Sequence, residues 1–294
     1  MRRTIMIIGL VCGLLLAGCG KDEPAATPAS QAPAVQPAAG DHQLTVDVGG
    51  KQRSFLLHAP PGYTGDKPVP LVVGLHFFPG SGAALRDMIE MDAKADENGF
   101  LVAYPDGVAG GFNALICCGA EDDVAFLKAL TDRLIADWRV DPDRVYATGI
   151  SNGADMSFRA AVEATGVFAA IGAVSGGLGG PKIQDAGFAP QKPVSVVTII
   201  GKLDQYYDVF QAGLTTWRDR LKCEPVKTPP VGKKGVERSS ATCADGSDLD
   251  VYVVTDMGHS WPGAQNGQMA LKDAPIVATD ILWDFFEAHP RLAG

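Results

Sequence analysis

Three side chains far apart in the chain have the types and settings that nucleophilic acyl transfer needs. Ser151 lies in Gly149-Ile150-Ser151-Asn152-Gly153, after the run Arg144–Thr148 and before a helix-forming stretch that starts at Ala154. A Gly-x-Ser-x-Gly between a strand and a helix is the setting of a nucleophile elbow, a tight, strained turn that lifts the serine hydroxyl above a sheet. The two glycines supply clearance for that turn. A serine hydroxyl is a weak nucleophile, so a base must reach it. Of five histidines, His42 borders a low-complexity stretch, His58 sits in an early strand, His76 ends a strand before a Gly-rich turn, and His289 closes the last helix. His259 stands apart in the glycine-bounded loop Met257–Gly263, directly after an apolar run, and is the expected general base. The acid that orients it is expected between serine and histidine, at a strand end. Asp204, just beyond the run Val194–Ile200, fits best, with Asp208 in reserve.

The oxygen of a tetrahedral intermediate needs preorganised donors. The Asn152 N–H, next to the nucleophile, is the first expected donor. The Phe78 N–H is the second, from Leu75-His76-Phe77-Phe78-Pro79-Gly80, because Pro79 has no amide hydrogen. Phe77 and Trp261 are candidates for an apolar rim that takes an acyl or aromatic group. Asp122 and Asp123 are read as charge at a helix start rather than as a metal or glycosidic carboxylate pair.

The elements that must carry these groups are legible as alternating runs. Leu44–Val48 and Ser54–His58 read as strands joined by the hairpin signal Gly49-Gly50. Leu71–Phe77, Phe100–Tyr104, Val145–Ile150, Ala169–Val174, Val194–Ile200 and Leu249–Thr255 read as buried strands, several of them parallel. Amphipathic stretches at Ala83–Ala95, Asp122–Trp138, Ala154–Ala164, Val209–Leu221 and Ala278–Ala288 read as helices between them. The expected fold is α/β of the α/β-hydrolase type: a mostly parallel, doubly covered sheet with a nucleophile elbow and no large lid. Chemistry then belongs at the carboxyl ends of the strands.

The amino terminus has a different character. Arg2 and Arg3 precede an apolar run, Ile5–Leu16, that ends in Leu16-Ala17-Gly18-Cys19. Residues 1–18 read as a lipoprotein signal peptide, too short for a comfortable membrane span, with an uncleaved anchor helix as the alternative. Cys19 is the expected lipidation site. Asp does not follow it, which favours the outer membrane of a bacterial envelope over retention at the inner one. Up to residue 40 the chain is mostly Ala, Pro, Gln, Thr and Ser, an expected disordered tether, so that 19–40 forms the lipidated linker and 41–294 the catalytic domain.

Loss of Arg2 and Arg3 with the signal leaves 23 basic against 34 acidic side chains, a formal charge of −11. That balance argues against a nucleic-acid partner, since the adjacent Lys233 and Lys234 are the densest basic spot. A lipid anchor is the expected membrane contact, and the oligomeric state is not legible. Cys223 and Cys243 flank a Pro/Gly/Lys-rich excursion that a disulfide would tether. The adjacent Cys117 and Cys118 either form a vicinal disulfide or stay reduced, with a structural loop role and no spacing for zinc. No metal is expected.

Several blocks together resemble the secreted polyhydroxybutyrate depolymerase and feruloyl esterase-like family of α/β-hydrolases. They are Pro70-Leu71-Val72-Val73 with Leu75-His76, Tyr104-Pro105-Asp106-Gly107, Asn113 with Cys117-Cys118-Gly119, and Asp122–Leu127. The more specific ones are Val140–Gly153 and Gly258-His259-Ser260-Trp261-Pro262-Gly263. The resemblance spans nearly the whole domain and implies the triad Ser151, Asp204 and His259, a bridge between Cys223 and Cys243, and cofactor-free hydrolysis of hydroxyalkanoate or hydroxycinnamoyl esters, small or polymeric. A peptidase or other acyl-transfer enzyme on the same fold, and a non-catalytic binding lipoprotein, are the alternatives. Three places depart from the family pattern. Phe77 stands where Gly normally follows the histidine, Asp155 where an apolar residue is usual, and Lys202-Leu203 where small residues usually precede the acid.

Overall fold

A computed structural model describes residues 36–292. The segment 1–18 expected to be a signal peptide, Cys19 and the expected linker as far as residue 35 lie outside the described residues. The antiparallel hairpin β1 (Gly40–Val48) and β2 (Lys51–Ala59) turns at Gly49-Gly50 and leads into β3 (Val69–Leu75) and β4 (Leu101–Pro105). The remaining strands of the main sheet are β5 (Val140–Ile150), β6 (Ala170–Val174), β7 (Ser195–Gly201), β8 (Glu224–Val226), β9 (Val236–Thr242) and β10 (Asp248–Val254). They form one ten-stranded sheet in the order β1-β2-β4-β3-β5-β6-β7-β10-β9-β8. The six central strands from β4 to β10 are parallel, and antiparallel pairs close both edges.

Parallel central strands must be buried on both faces, and their sequences are apolar without alternation for that reason. Helices α3 (Asp123–Trp138), α4 (Asn152–Glu163) and α5 (Tyr207–Leu221) cover one face. Phe126, Leu130, Phe158, Phe210 and Trp217 pack there on Leu71, Val73, Val145 and Ala147. Helices α1 (Gly82–Ile89), α2 (Met91–Asn98) and α6 (Ala278–Ala288) cover the other, where Leu85, Met88, Leu282 and Phe286 meet Val72, Val102, Tyr146 and Ile150. No helix among the described residues is long and apolar enough to cross a membrane.

Three elements differ from the sequence expectation. The helix expected over Ala83–Ala95 is two helices, because Glu90 takes a left-handed conformation (φ 53°) and ends α1. Strand β9 sits in the excursion expected to be loop. Its sequence, Val-Glu-Arg-Ser-Ser-Ala-Thr, is polar because the strand lies near the sheet edge with one neighbour in the short β8, so no apolar period marks it. A two-residue ladder joins β11 (Trp261-Pro262) to β12 (Ala270-Leu271) just after His259.

Candidate active site

Ser151 follows β5 directly and precedes α4, with φ 56° and ψ −123°, a conformation that costs energy for a residue bearing a Cβ. The turn is held by Ser151 N–H donating to the Val174 carbonyl at 3.1 Å and by Asp155 N–H donating to the Ser151 carbonyl at 3.0 Å. The glycines of the motif make this approach feasible. A Cβ on Gly153 would lie 2.0 Å from the Leu75 carbonyl oxygen, and one on Gly149 would lie 2.6 Å from the same atom.

Asn152 is the first residue of α4, so its N–H has no partner inside the helix. Its side chain is buried and clips the loop 112–117 to the elbow. Asn152 Oδ1 accepts the Phe112 N–H at 2.8 Å, while Nδ2 donates to the Phe112 carbonyl at 3.1 Å and the Cys117 carbonyl at 3.0 Å. The same loop is braced from below by a buried ion pair. Asp123 receives the Arg53 guanidinium at 2.6 Å and the Asn113 N–H at 2.6 Å, while Asp122 caps α3 by accepting the Ala125 N–H. The acidic pair therefore serves the helix start and this loop. Cys117 and Cys118 are disulfide-bonded to each other, and Cys223 is bonded to Cys243.

The segment after β3 is organised by His76. This fully buried imidazole accepts the Gly107 N–H at Nε2 (2.9 Å), so its Nδ1 carries the hydrogen and donates to the Phe77 carbonyl at 2.7 Å. Burial pushes the imidazole pKa down, which keeps it neutral. The 77–78 peptide is trans, so turning the Phe77 carbonyl toward His76 points the Phe78 N–H the opposite way. Neither Phe77 nor Phe78 has positive φ, and the replacement of the usual Gly by Phe77 therefore brings no backbone strain.

Asp204 and His259 come together from the ends of β7 and β10. His259 Nδ1 lies 2.7 Å from Asp204 Oδ2, whose side chain is buried, and Asp204 Oδ1 accepts the Tyr206 N–H at 2.9 Å. The carboxylate is thus fixed at both oxygens. The His259 loop is tied to the sheet through Ser175, whose Oγ accepts the Ser260 N–H at 3.1 Å and donates to the Ser260 carbonyl at 3.0 Å. The reserve residue Asp208 lies in the first turn of α5.

The two rim residues expected from sequence are in the core. Trp261 is 0 % exposed; its backbone is held in the β11–β12 ladder and its indole N–H donates to Thr279 Oγ1 at 3.2 Å on α6. Phe77 is buried with α1, and only an edge of it reaches an open cleft of about 620 Å³ bordered by Pro79, Ala84 and Gln268. Their neighbours are exposed instead. Phe78 lies against Gly111 beside Cys118; Ile116 and Val209 meet at Gly179; and Tyr206 packs edge-on to His259 with ring centroids 5.8 Å apart. Leu203, beside the acid, is the most exposed of this set. Exposure of single apolar side chains is invisible to periodicity, so only their place beside the motif residues marks them.

Residues 53–186 match the family described as Esterase PHB depolymerase. Over 335 aligned positions the chain is 30% identical to NocK of Nocardia uniformis subsp. tsuyamanensis, which bears an esterase name, with 92% of this chain and 93% of NocK covered. The chain belongs to the esterase PHB depolymerase family. Like other members of that family, it is a carboxylic ester hydrolase. Feruloyl esterase C of Emericella nidulans is 29% identical over 247 positions, covering 80% of this chain and 84% of that one. Acetyl xylan esterase from Aspergillus awamori superposes with a TM-score of 0.64 at 17% identity, over 85% of this chain and 99% of that one, a likeness of fold. Within this esterase the one His-carboxylate cluster among the described residues with metal-like spacing, Asp41, His58 and Asp92, is already an ion network. Asp41 and Asp96 occupy both His58 nitrogens, and Arg86 pairs with Asp41 and Asp92.

Proposed function

We propose that this esterase works by a serine mechanism with Ser151 as nucleophile, His259 as general base and acid, and Asp204 as the group that orients His259. Ser151 Oγ attacks the acyl carbon of the ester as His259 Nε2 takes its proton, forming a tetrahedral oxyanion. The Asn152 and Phe78 N–H groups donate to that oxygen. Collapse of the intermediate breaks the bond to the leaving oxygen, which receives the proton from His259, and leaves Ser151 acylated. Water, deprotonated by the same imidazole, then releases the acid. The observation that carries the reading is the 2.7 Å contact of His259 Nδ1 with a buried Asp204 oxygen, combined with the strained φ and ψ of Ser151. That contact fixes the tautomer with Nε2 free to accept.

The substrates are neutral esters with a bulky apolar portion, of the hydroxycinnamoyl or hydroxyalkanoate kind. The feruloyl esterase name of one relative supports the first. The exposed side chains of Phe78, Ile116, Leu203, Tyr206 and Val209 support both, because they offer apolar contact to such groups. The enzyme is lipid-anchored through Cys19 in a bacterial envelope, on the outer membrane, with the linker holding the domain off the lipid; residues Leu16–Cys19 support this. Steady-state rates of wild type and Ser151→Ala on methyl ferulate, hydroxybutyrate oligomers, short acyl esters and peptide amides test the assignment. Turnover of the first two well above the amides, and none by the variant, is expected.

A further inference from the structure

Asp155 is a buried carboxyl beside the elbow, a place that packing alone would fill with an apolar side chain. It sits in the first turn of α4, four residues after the nucleophile, with its side chain 5 % exposed. Its Oδ1 accepts the Gly177 N–H at 2.9 Å, its one side-chain hydrogen bond among the described residues. The loop so held is wedged against the elbow. A Cβ on Gly176 would lie 2.8 Å from the Ser151 carbonyl and 3.2 Å from Asp155 Oδ1. One residue earlier, Ser175 (φ 45°) carries the hydroxyl that holds Ser260 by both its N–H and its carbonyl. The backbone of 175–177 thus joins two hydrogen-bonded contacts, that of Asp155 with the Gly177 N–H and that of Ser175 with the loop that bears His259.

We infer that Asp155 is a second acidic positioning residue for His259: it braces the histidine loop and, when ionised, stabilises the positive charge the imidazole gains on taking the Ser151 proton. The inference rests on the serine mechanism proposed above. No proton passes to Asp155 in this cycle. The Ser151 proton moves to His259 Nε2 and on to the leaving oxygen, while Asp155 supplies a fixed field.

The charges around Asp155 fit this role. His259 is the titratable group whose charge acts on it. On its own helix Arg159 is engaged by Glu163 and the Asn113 carbonyl, and the Ser175–Gly177 loop brings no charge. Asp204 stands at the Nδ1 side of the ring. Burial pushes Asp155 up to about 7, while the Gly177 N–H and the His259 charge pull it back toward ionisation. Near neutral pH the group is therefore divided between its two forms, and the helix N-terminus favours the anion. The rate is therefore expected to rise as Asp155 ionises.

Asp155→Asn and Asp155→Leu separate charge from bracing. The amide oxygen of Asn still accepts from Gly177 but carries no charge, whereas Leu removes both. On a neutral ester between pH 5 and 9.5, the ratio of wild-type to Asp155→Asn kcat/KM is expected to rise with pH through about 7. The Asn variant should run about tenfold slower than wild type at pH 8.5 and match it within about twofold at pH 5.5. Asp155→Leu should be slow at every pH. An Asn profile parallel to wild type, or Asn and Leu variants equally slow throughout, would overturn the inference. Ser151→Ala assayed alongside separates this from the mechanism it rests on. An inert Ser151→Ala with an unaltered Asn profile removes only the role of Asp155, whereas full turnover by Ser151→Ala removes both.

Discussion

The His259 imidazole meets Asp204 through Nδ1 at 2.7 Å, and Asp204 is itself pinned by the Tyr206 N–H. In the proposed cycle, an acid held at both oxygens keeps the imidazole in one tautomer as the ring gains and loses charge. Asp204→Asn is expected to leave the fold intact and lower kcat on the order of 10³- to 10⁴-fold, because the amide can present its NH₂ to Nδ1 and favour the wrong tautomer. Steady-state kinetics with a thermal melt checks this; a loss below tenfold would remove Asp204 from the relay.

The buried Asp155 makes stability depend on pH in a definite direction. Its carboxyl is ionised above about 4 in an unfolded chain and held protonated up to about 7 in the folded one. The folded state therefore binds more protons between those values, and the stability this group confers is present below pH 4 and lost as pH rises through 7. Asp155→Asn should lack this slope and gain stability relative to wild type between pH 5 and pH 8. Urea midpoints at the two pH values measure it.

Trp261 and Tyr206 should behave in opposite ways. Trp261→Phe leaves Thr279 without its indole donor and opens space in the core, costing about 1–3 kcal/mol of stability with little change in substrate preference. Tyr206→Ala removes an exposed ring beside His259 and should raise KM for aromatic esters at unchanged thermal stability. Denaturant curves and a KM comparison between methyl ferulate and a short acyl ester distinguish the two.

The Cys223–Cys243 bridge joins the end of α5 to the end of β9 across a separation of 20 residues. Cys223→Ser is expected to lower stability by about 3 kcal/mol on chain-entropy grounds while kcat stays within twofold of wild type. Calorimetry and an ester assay on the same sample test it.

The sequence exposes most of the scaffold because long apolar strands and capped helices are local signals. Val145–Ile150, Ser151 and α4 follow from one stretch of chain, and the hairpin turn from Gly49-Gly50. What escapes it depends on distant partners. The polar strand β9 exists because β10 offers it an edge, and Glu90 breaks a helix that propensity alone would continue. Trp261 reads as a rim residue because its neighbours in sequence are His259 and Ser260, whereas its burial is decided by Thr279 on α6. The Phe77 departure loses its meaning once the backbone is seen, because no positive φ is required there. Asp155 stands out in the sequence as an odd residue, but the acceptor role toward Gly177 appears only in three dimensions.

Covalent capture of the nucleophile tests the central claim most directly. Reaction of the folded protein with a fluorophosphonate, followed by peptide mass spectrometry, should place one adduct on Ser151, formed more slowly in His259→Ala and not at all in Ser151→Ala. A folded protein that hydrolyses esters yet carries no adduct at Ser151, or carries it on another side chain, would contradict the account.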